Sequence, residues 1–496
     1  MTQNNFTATG IQNWATPSNW SLGHVPTNSE DAVIGTTGTI VGSGSNETVL
    51  SIGTGTNGDA LDINSGSTFE TIQGTGPNGN FGTIVVEDGS TLQDDSGTFF
   101  NSGTLRLNST GSVTSFVIEG FVQLMGGGSV ELAPNSGAQN YILGGKSTST
   151  LINDDNDISG TGGIGGLFFT NKGIIETNNN LGAGDMHIWG NSAGGSFEND
   201  GSMFADDGGI LELGVNSATV SMGNAGLIEA VGASKATKIQ IDGNVTINAV
   251  GGRILLAGPN ANFDEIVSDG LPATLNLDGG TLDGSGTVGD SQMTLNVEQG
   301  TVVNADHSGG LLELSTGANT ITNAGLLEAT NGGILGIASP LSNSGTIAAN
   351  GGEVLIGNSV TGLGVVDIGA NDLVDMLASA SLINNVQFTD GNAVLRVRSI
   401  GNIEGNIVGA GAADEIDVRF VNFVSGVQTV WQQNGGSGQL SLVNNGSPLV
   451  AFNLLGQYTS ADFSAGSDGA GGTLISINNP PPPRGYDRRY DPAQHQ

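Results

Sequence analysis

The feature that most constrains this sequence is a three-residue step, Asn-x-Gly, which runs each time into a short apolar stretch. A second element, a Gly-Gly pair followed by alternating apolar residues, accompanies it. Units of turn, short strand, turn, short strand that recur every 20–25 residues or so are typical of solenoids. The Asn-x-Gly steps occupy residues 101–103, 171–173, 199–201, 224–226, 323–325 and 343–345. The Gly-Gly elements begin at residues 208, 251, 309, 332 and 351.

The repeated unit is built from strands, because its apolar residues alternate with polar ones and segments with a helical period are nearly absent. Glycine accounts for 84 of the 496 residues. Gly and Asn adopt the positive φ angles that tight turns between strands require. The sequence therefore predicts an all-β protein, a right-handed parallel β-helix. We also expect Asn side chains at equivalent turns to stack into hydrogen-bonded ladders.

The pattern divides the chain into four parts. Residues 1–48 are predicted to form an N-terminal cap and the first strand. Residues 49–412 carry the nearly unbroken strand-turn pattern, enough for roughly sixteen turns. Residues 413–478 have a different texture, with two predicted hairpins, and are expected to form a small C-terminal β module. Residues 479–496 are Pro-rich and polar, which predicts a disordered tail.

Two of the four tryptophans, Trp14 and Trp20, lie close together near the N-terminus. A solenoid must cover its apolar end, and these rings are suited to that role. The alternative is that they form a sugar-binding pair. The first ten residues lack the basic and apolar regions of a cleavable secretory signal. No stretch reaches the ~20 apolar residues that a spanning helix needs, which predicts no membrane insertion.

The charge of the chain is strongly acidic. It has 12 Lys and Arg against 47 Asp and Glu, for a formal net charge of −35, and residues 254–395 contain no Lys or Arg. Such a surface repels phosphate backbones and anionic head groups, so nucleic-acid partners are disfavoured. Counter-ions, Ca²⁺ among them, are expected to reduce the self-repulsion. The chain has no Cys, which excludes disulfides and thiolate metal sites.

Three segments of the chain resemble the large β-strand-repeat proteins of the bacterial cell surface, found especially in rhizobia and their relatives. The opening is similar to their entry segment with its Trp, Val-Pro and Asp-Ala-Val-Ile motifs. Residues 151–173 are similar to their recurrent repeat, and residues 414–477 to a terminal module of proteins exported by type I secretion. The resemblance implies an extracellular or surface-associated, adhesin-like protein with an uncleaved C-terminal export signal. The Pro-rich tail after that module departs from the pattern.

Two acidic clusters are candidate calcium sites. The first joins Asp154, Asp155 and Asp157; the second contains Asp414 and Asp417, in a segment loosely similar to the one that follows calcium-binding nonapeptide arrays. Ca²⁺ takes six to eight oxygen ligands converging from a turn. The alternative is that both clusters are solvated acidic turns.

One short segment has the composition of a small glycan site. Strand alternation would place Asp185, His187 and Trp189 on the same face. Asp185 and His187 are the candidate catalytic residues and Trp189 the candidate ligand-binding residue. The alternative is a polar outer face with a partly buried Trp. A lyase would need a Lys or Arg, whereas a glycosidase needs only two suitably spaced carboxylates.

The sequence thus predicts a secreted or surface-displayed structural and adhesive rod. Its partners would be polysaccharide, matrix or neighbouring cells, held by repeated weak contacts. The first alternative is a polysaccharide-active β-helix enzyme that uses paired carboxylates. A second is a surface-layer component that assembles with calcium. No catalytic nucleophile or phosphate-loop motif is present.

Overall fold

The computed structural model describes residues 2–35, 38–56, 58–64, 66–133, 137, 139–178, 185–191, 197–258 and 264–478. The protein is nearly all β, with 57% of its residues in strands and 2% in helices, and it forms a parallel β-solenoid of about 16 turns. The predicted fold class is confirmed. Two compact units are present, residues 1–302 with 315–319 and residues 303–314 with 320–496.

The strands of the first unit are short, mostly three to six residues. They are β1 (Thr2–Asn5), β2 (Ile11–Asn13), β3 (Glu30–Ile34), β4 (Ile40–Ser43), β5 (Glu47–Val49), β6 (Ser51–Thr54), β7 (Ala60–Ile63), β8 (Thr68–Thr71), β9 (Thr83–Glu87), β10 (Thr91–Asp94), β11 (Gly97–Phe100), β12 (Thr104–Asn108), β13 (Val113–Ile118), β14 (Phe121–Met125), β15 (Ser129–Leu132), β16 (Gln139–Gly144), β17 (Thr150–Asn153), β18 (Asp157–Gly160), β19 (Gly162–Gly165), β20 (Phe168–Asn171), β21 (Ile174–Asn178), β22 (Asp185–Ile188), β23 (Phe197–Asn199), β24 (Ser202–Asp206), β25 (Ile210–Asn224), β26 (Leu227–Val231), β27 (Thr237–Asn248), β28 (Arg253–Leu256), β29 (Asp264–Ser268), β30 (Ala273–Asp278), β31 (Thr281–Gly284), β32 (Gly286–Val288) and β33 (Met293–Val297).

The second unit continues the same kind of strand. Its strands are β34 (Val302–Ala305), β35 (Leu311–Leu314), β36 (Ile321–Asn323), β37 (Leu326–Ala329), β38 (Ile334–Ile337), β39 (Leu341–Asn343), β40 (Thr346–Ala349), β41 (Glu353–Ile356), β42 (Ser359–Thr361), β43 (Val365–Ile368), β44 (Leu373–Met376), β45 (Ser381–Leu382), β46 (Asn385–Phe388), β47 (Val394–Val397), β48 (Asn406–Val408), β49 (Glu415–Val418), β50 (Val427–Asn434), β51 (Ser437–Asn444), β52 (Ser447–Leu455), β53 (Phe463–Ser467) and β54 (Thr473–Ile477). Short 3-10 helices span Pro17–Asn19, Gly76–Asn78 and Ser460–Asp462.

The strands before the C-terminal part of the second unit pair in parallel with strands of the neighbouring turns, and the register keeps like residues in line. In β12 and β15, for example, Leu105 lies opposite Val130 and Leu107 opposite Leu132. All four side chains are fully buried. Residues between them point outward, because side chains alternate along a strand. The core of the solenoid is therefore a column of Leu, Ile and Val stacked from turn to turn.

The asparagines of the Asn-x-Gly steps form the predicted amide ladder. Asn171 donates from its side chain to the Oδ1 atom of Asn199 at 2.9 Å, and Asn199 donates to Asn224 at 2.8 Å. In the second unit, Asn323 donates to Asn343 at 2.7 Å. These side chains are essentially unexposed. Buried amides must be hydrogen-bonded, and stacking identical amides in register satisfies them.

The glycines of the same steps are required because the previous turn lies too close for a side chain. A Cβ atom at Gly226 would lie 2.0 Å from the carbonyl oxygen of Gly201. One at Gly345 would lie 2.1 Å from the carbonyl oxygen of Gly325. Any larger residue would force adjacent turns apart. Both fixed residues of the motif therefore serve the stacking of turns: Asn supplies the hydrogen bond between turns, and Gly permits their close approach.

The two N-terminal tryptophans are packed inside the first unit. The rings of Trp14 and Trp20 have centroids 4.6 Å apart, and Trp14 meets Phe69 of β8 edge-on at 5.0 Å. Trp20 donates its indole N–H to the backbone carbonyl of Trp14 at 2.9 Å. Both rings are at most 2% exposed. Neither therefore offers a ring face to a ligand.

The C-terminal part of the second unit changes to antiparallel pairing. Strands β50, β51 and β52 form an antiparallel meander, and β53 and β54 form a hairpin. Both groups are joined to the solenoid, since β52 pairs in parallel with β48 and β54 pairs antiparallel with β49. The boundary predicted at residue 413 stays a prediction. The predicted tail, residues 479–496, lies outside the described residues.

None of the helices in the described part of the chain is long and apolar enough to span a membrane.

Candidate functional site

Strand β22 carries Asp185 and His187, and Trp189 follows its last residue directly. Met186 and Ile188 are fully buried, so the intervening residues lie on the outer face. Asp185 is exposed, and His187 and Trp189 are partly exposed. The structure thus brings the three candidate residues onto one face of the solenoid.

The parallel register adds side chains from the following turns. His187 lies opposite Glu212 of β25, and Glu212 lies opposite Gln240 of β27. Two residues further along the same two strands, Gly214 lies opposite Asp242. One ring nitrogen of His187 and one carboxylate oxygen each of Glu212 and Asp242 all lie within 4.8 Å of one another. We call this group the His187 cluster.

Trp189 lies flat on the turn that precedes it. A Cβ atom at Gly163 would lie 2.5 Å from the Cζ3 atom of Trp189, and one at Gly165 would lie 2.0 Å from its Cε2 atom. The indole therefore rests on two glycines of β19, which leave it room. Its flanks are Tyr141, with ring centroids 6.4 Å apart, and His187, at 4.8 Å. We call Trp189, Tyr141 and His187 the aromatic platform.

The orientation of the His187 ring is set by a backbone carbonyl. The Nε2 atom lies 2.7 Å from the carbonyl oxygen of Gly214, which can only accept a hydrogen bond. Nε2 is therefore the protonated nitrogen. In the neutral ring this leaves Nδ1 as an acceptor, and it faces the Oε2 atom of Glu212 at 3.9 Å.

Burial among acidic neighbours controls the protonation of Glu212. Its side chain is 20% exposed. Desolvation raises the pKa of Glu212 above its usual value; the charge of His187 lowers it, whereas the charges of Asp242 and Asp269 raise it further. The raised pKa favours the protonated form of Glu212 more than in an exposed glutamate.

The first acidic cluster is held by local hydrogen bonds and an ion pair. Asp154 accepts a hydrogen bond from Gln123 and another from Lys172 at 3.1 Å; these contacts lower its pKa. Asp155 accepts from the backbone N–H of Gly127 at 3.0 Å. Burial raises the pKa of Asp157, as does the charge of Glu176 to a smaller extent.

The second acidic cluster lies among backbone donors and arginines. Asp414 accepts hydrogen bonds from the N–H groups of Ala393 and Gly411, and Asp417 from Arg396 and Arg419. Among the described residues, the His187 cluster is the one group of three His, Asp or Glu side chains able to share an ion. Calcium binding at the five aspartates stays a prediction.

A second outward surface of the first unit is aromatic. Phe81 and Phe100 have ring centroids 5.7 Å apart and line an open cleft of about 650 Å³ with Gln73, Ser96 and Thr98.

Further along, Phe121 of β14 and Phe168 of β20 are 52% and 43% exposed. Both lie opposite Thr150 of β17, which places them about 10 Å apart, or two strand spacings.

The sequence was compared with protein-family models and with curated proteins. No protein-family model matches the sequence, and none of the curated proteins matches it either.

Proposed function

We propose that this protein is a secreted or surface-displayed structural and adhesive β-solenoid that holds glycan chains on its outer face. The observation that supports it best is the aromatic platform. Trp189 is supported from below by Gly163 and Gly165, so its outer ring face is the side available to a ligand. The other three tryptophans, Trp14, Trp20 and Trp431, are buried.

A flat indole bordered by polar groups is suited to bind a sugar ring, which has both an apolar face and polar edges. The C–H groups on one sugar face pack against an aromatic ring, while the hydroxyl groups at the edge need hydrogen-bond partners. Glu212 and Gln240 lie opposite His187 on the two following turns and supply carboxylate and amide groups there. Such a shallow site is expected to bind weakly.

Adhesion would come from repetition of weak contacts. The first unit also presents Phe81, Phe100, Phe121 and Phe168 on outer surfaces, with Thr and Gln side chains between them. A glycan polymer that touches several such places gains affinity through effective concentration without a deep pocket. The net charge of −35 repels anionic chains. We therefore expect neutral glycans to be retained more strongly than acidic ones at low salt.

A second candidate function is glycoside hydrolysis. The specific observation in its favour is Glu212, whose pKa is raised, next to the carboxylate of Asp242. Retaining glycosidases use two carboxyl groups about 5–5.5 Å apart, one of which must hold a proton. The same residues are able to serve as polar contacts in a binding site that performs no chemistry.

The test is a panel of neutral and acidic polysaccharides, scored both for co-sedimentation and for new reducing ends. We expect co-sedimentation without new ends, and Trp189→Ala should weaken it at least tenfold, about 1.4 kcal/mol. Phe423→Ala, which removes another exposed ring elsewhere (39% exposed), serves as the matched control. New reducing ends that disappear in Glu212→Gln would establish the enzyme instead, and absence of any retention would refute adhesion to the glycans tested.

The proposed location is extracellular, with export by a type I secretion channel. The support is the resemblance of the opening, the middle repeat and residues 414–477 to surface proteins exported in this way. Expression of the whole chain in a bacterium with and without such a channel tests it. Channel-dependent appearance in the medium is expected, and equal retention in the cytoplasm of both strains would contradict it. Ordered two-dimensional assembly that requires Ca²⁺ would favour the surface-layer alternative.

A further inference from the structure

The geometry points to a binding site for one divalent transition-metal cation, of the zinc class, at His187, Glu212 and Asp242. The three side chains come from β22, β25 and β27, which pair side by side on three successive turns of the solenoid. This inference goes beyond the proposed function and does not depend on it. A protein that binds no glycan would still bind the ion.

The spacing of the ligand atoms suits one ion. Zinc lies 2.0–2.2 Å from nitrogen and carboxylate oxygen ligands, so two ligands of one ion are at most about 4.4 Å apart. The nitrogen and the two oxygens of the His187 cluster lie within 4.8 Å of one another, and the His187–Glu212 pair is separated by 3.9 Å. Because 4.8 Å exceeds that maximum, the ligand atoms have to move closer together when one ion binds all three.

The histidine is already held in the form that binds a metal. A ligating imidazole usually donates its other N–H group to a carbonyl or carboxylate, which fixes its tautomer. His187 does so through Nε2, 2.7 Å from the carbonyl oxygen of Gly214. The lone pair of Nδ1 then faces the Oε2 atom of Glu212. A cation placed between Nδ1 of His187 and the carboxylate of Glu212 is attracted by both groups.

The strands explain why this arrangement is stable. Gly214 follows Leu213 in β25 and lies opposite Asp242 of β27, so one residue pair supplies both the carbonyl that orients His187 and the third ligand. Asp242 is 6% exposed. His187 and Glu212 retain side-chain exposures of 28% and 20%, which gives an ion access from solvent.

The ligand types select the class of metal. Ca²⁺ and Mg²⁺ prefer oxygen ligands alone. One imidazole with two carboxylates suits Zn²⁺, Co²⁺ or Mn²⁺, and three protein ligands leave a position open for water or a ligand hydroxyl. This distinguishes the site from the calcium sites predicted at the two aspartate clusters, whose side chains offer oxygen only.

The experiment measures Zn²⁺ binding to the full chain after treatment with a chelator, by calorimetry in the presence of millimolar Ca²⁺. The Ca²⁺ competes with Zn²⁺ for non-specific binding to the acidic surface. One Zn²⁺ per chain is expected. His187→Ala and Glu212→Gln should each weaken binding at least about 100-fold, more than the loss of an outer-shell group. His307→Ala, which removes an exposed histidine beside Asp306, is the matched control and should bind as the native chain does.

Circular dichroism of each variant shows whether it has folded, and Co²⁺ bound in place of Zn²⁺ reports on the ligands directly. The energy and intensity of its visible absorption depend on coordination geometry and ligand type. The native chain and His307→Ala should give the same Co²⁺ spectrum, and folded His187→Ala should not. Equal Zn²⁺ affinity in native and His187→Ala protein, or several equivalent sites that no substitution removes, would overturn the inference. Trp189→Ala should lose glycan retention and keep Zn²⁺, so that failure of the metal site and failure of the proposed function are distinguished.

Discussion

The side-chain amide of Asn199 donates a hydrogen bond of 2.8 Å to the Oδ1 atom of Asn224, one turn further along the solenoid. The same Asn199 side chain also donates to the backbone carbonyl of Leu227 at 3.1 Å and accepts from Asn171. Each buried amide is thus a link between three turns. The apolar core alone does not fix the register between adjacent turns. The hydrogen bonds of the ladder do so, because each one joins a defined residue of one turn to a defined residue of the next.

Asn199→Ala should lower the free energy of unfolding by more than a single hydrogen bond contributes. The substitution leaves the donor of Asn171 and the acceptor of Asn224 buried without this partner, and each unsatisfied group costs about 1–3 kcal/mol. The measurement is chemical denaturation followed by circular dichroism. Asn350→Ala, at an exposed asparagine, is the control and should change stability by less than about 0.5 kcal/mol. Equal effects of the two substitutions would show that the ladder contributes little.

The ladder was predictable from the sequence because its two signals, Asn and Gly, recur together at each turn. Its exceptions were not. Asn101 donates to Asn156 at 2.9 Å, although Asn156 belongs to no Asn-x-Gly step. The two residues are 55 positions apart, and β14 lies between β11 and β17, the strands that precede them. Only the assembled register shows which asparagine lies above which.

The same limit explains what the sequence missed at the candidate site. Strand alternation sufficed to place Asp185, His187 and Trp189 on one face, since Asp185 and His187 lie in β22 and Trp189 follows it directly. Glu212 and Asp242 come from later strands, β25 and β27, whose pairing shifts register between Gly214 and Thr219. The Gly-Gly element at residue 208 predicts that Glu212 faces outward. Whether Glu212 lies beside His187 depends on the number of residues in the intervening turn of the solenoid, and a local sequence pattern does not give the register that results.

Asp94→Asn should stabilise the protein at neutral and alkaline pH. Burial raises the pKa of Asp94 to about 7, opposed by hydrogen bonds from Gly74 and Thr71. The unfolded chain has a pKa of about 3.9 at this residue, so the folded state binds the proton more tightly. The stabilising contribution is complete below pH ~4, falls as the pH rises to about 7, and is absent above it. Asparagine is never charged and escapes this loss.

The measurement for Asp94→Asn is the unfolding free energy between pH 4 and pH 8. The advantage over the native chain should be near zero at pH 4 and approach, at most, about 4 kcal/mol at pH 8. Asp95→Asn removes one negative charge from a partly exposed neighbour and controls for general repulsion. A benefit for Asp94→Asn that is the same at pH 4 and pH 8 would contradict the assignment.

Asp417→Asn should destabilise the second unit with or without calcium. The Asp417 carboxylate, 4% exposed, accepts hydrogen bonds from Arg396 at 2.9 Å and Arg419 at 2.8 Å. Removing its charge weakens both contacts, with an expected loss of about 1–3 kcal/mol. Thermal unfolding in chelator and in millimolar Ca²⁺ is the measurement. A loss seen only with Ca²⁺ would instead identify Asp417 as a calcium ligand, and Asp390→Asn, at an exposed aspartate, is the control.

Gly165→Ala should weaken glycan retention although residue 165 would not touch the sugar. Its Cβ atom would lie 2.0 Å from the Cε2 atom of Trp189, so the ring must move off its support. A displaced indole no longer presents a fixed face, and preorganisation is lost. We expect retention of the glycan identified for the native chain to fall at least tenfold, close to the effect of Trp189→Ala. Acrylamide quenching should report higher exposure of Trp189, since the other three tryptophans are buried.

The control for Gly165→Ala is Gly466→Ala, since a Cβ atom at Gly466 would meet nothing within 4 Å. That substitution should leave both quenching and retention unchanged. If Gly165→Ala raised quenching but left retention intact, the aromatic platform would not be the contact surface. If Gly165→Ala changed neither quenching nor retention, the position of the Trp189 ring would not depend on the two glycines. Because Gly165 and Trp189 lie on adjacent turns, the result tests how directly the stacking of turns determines the binding surface.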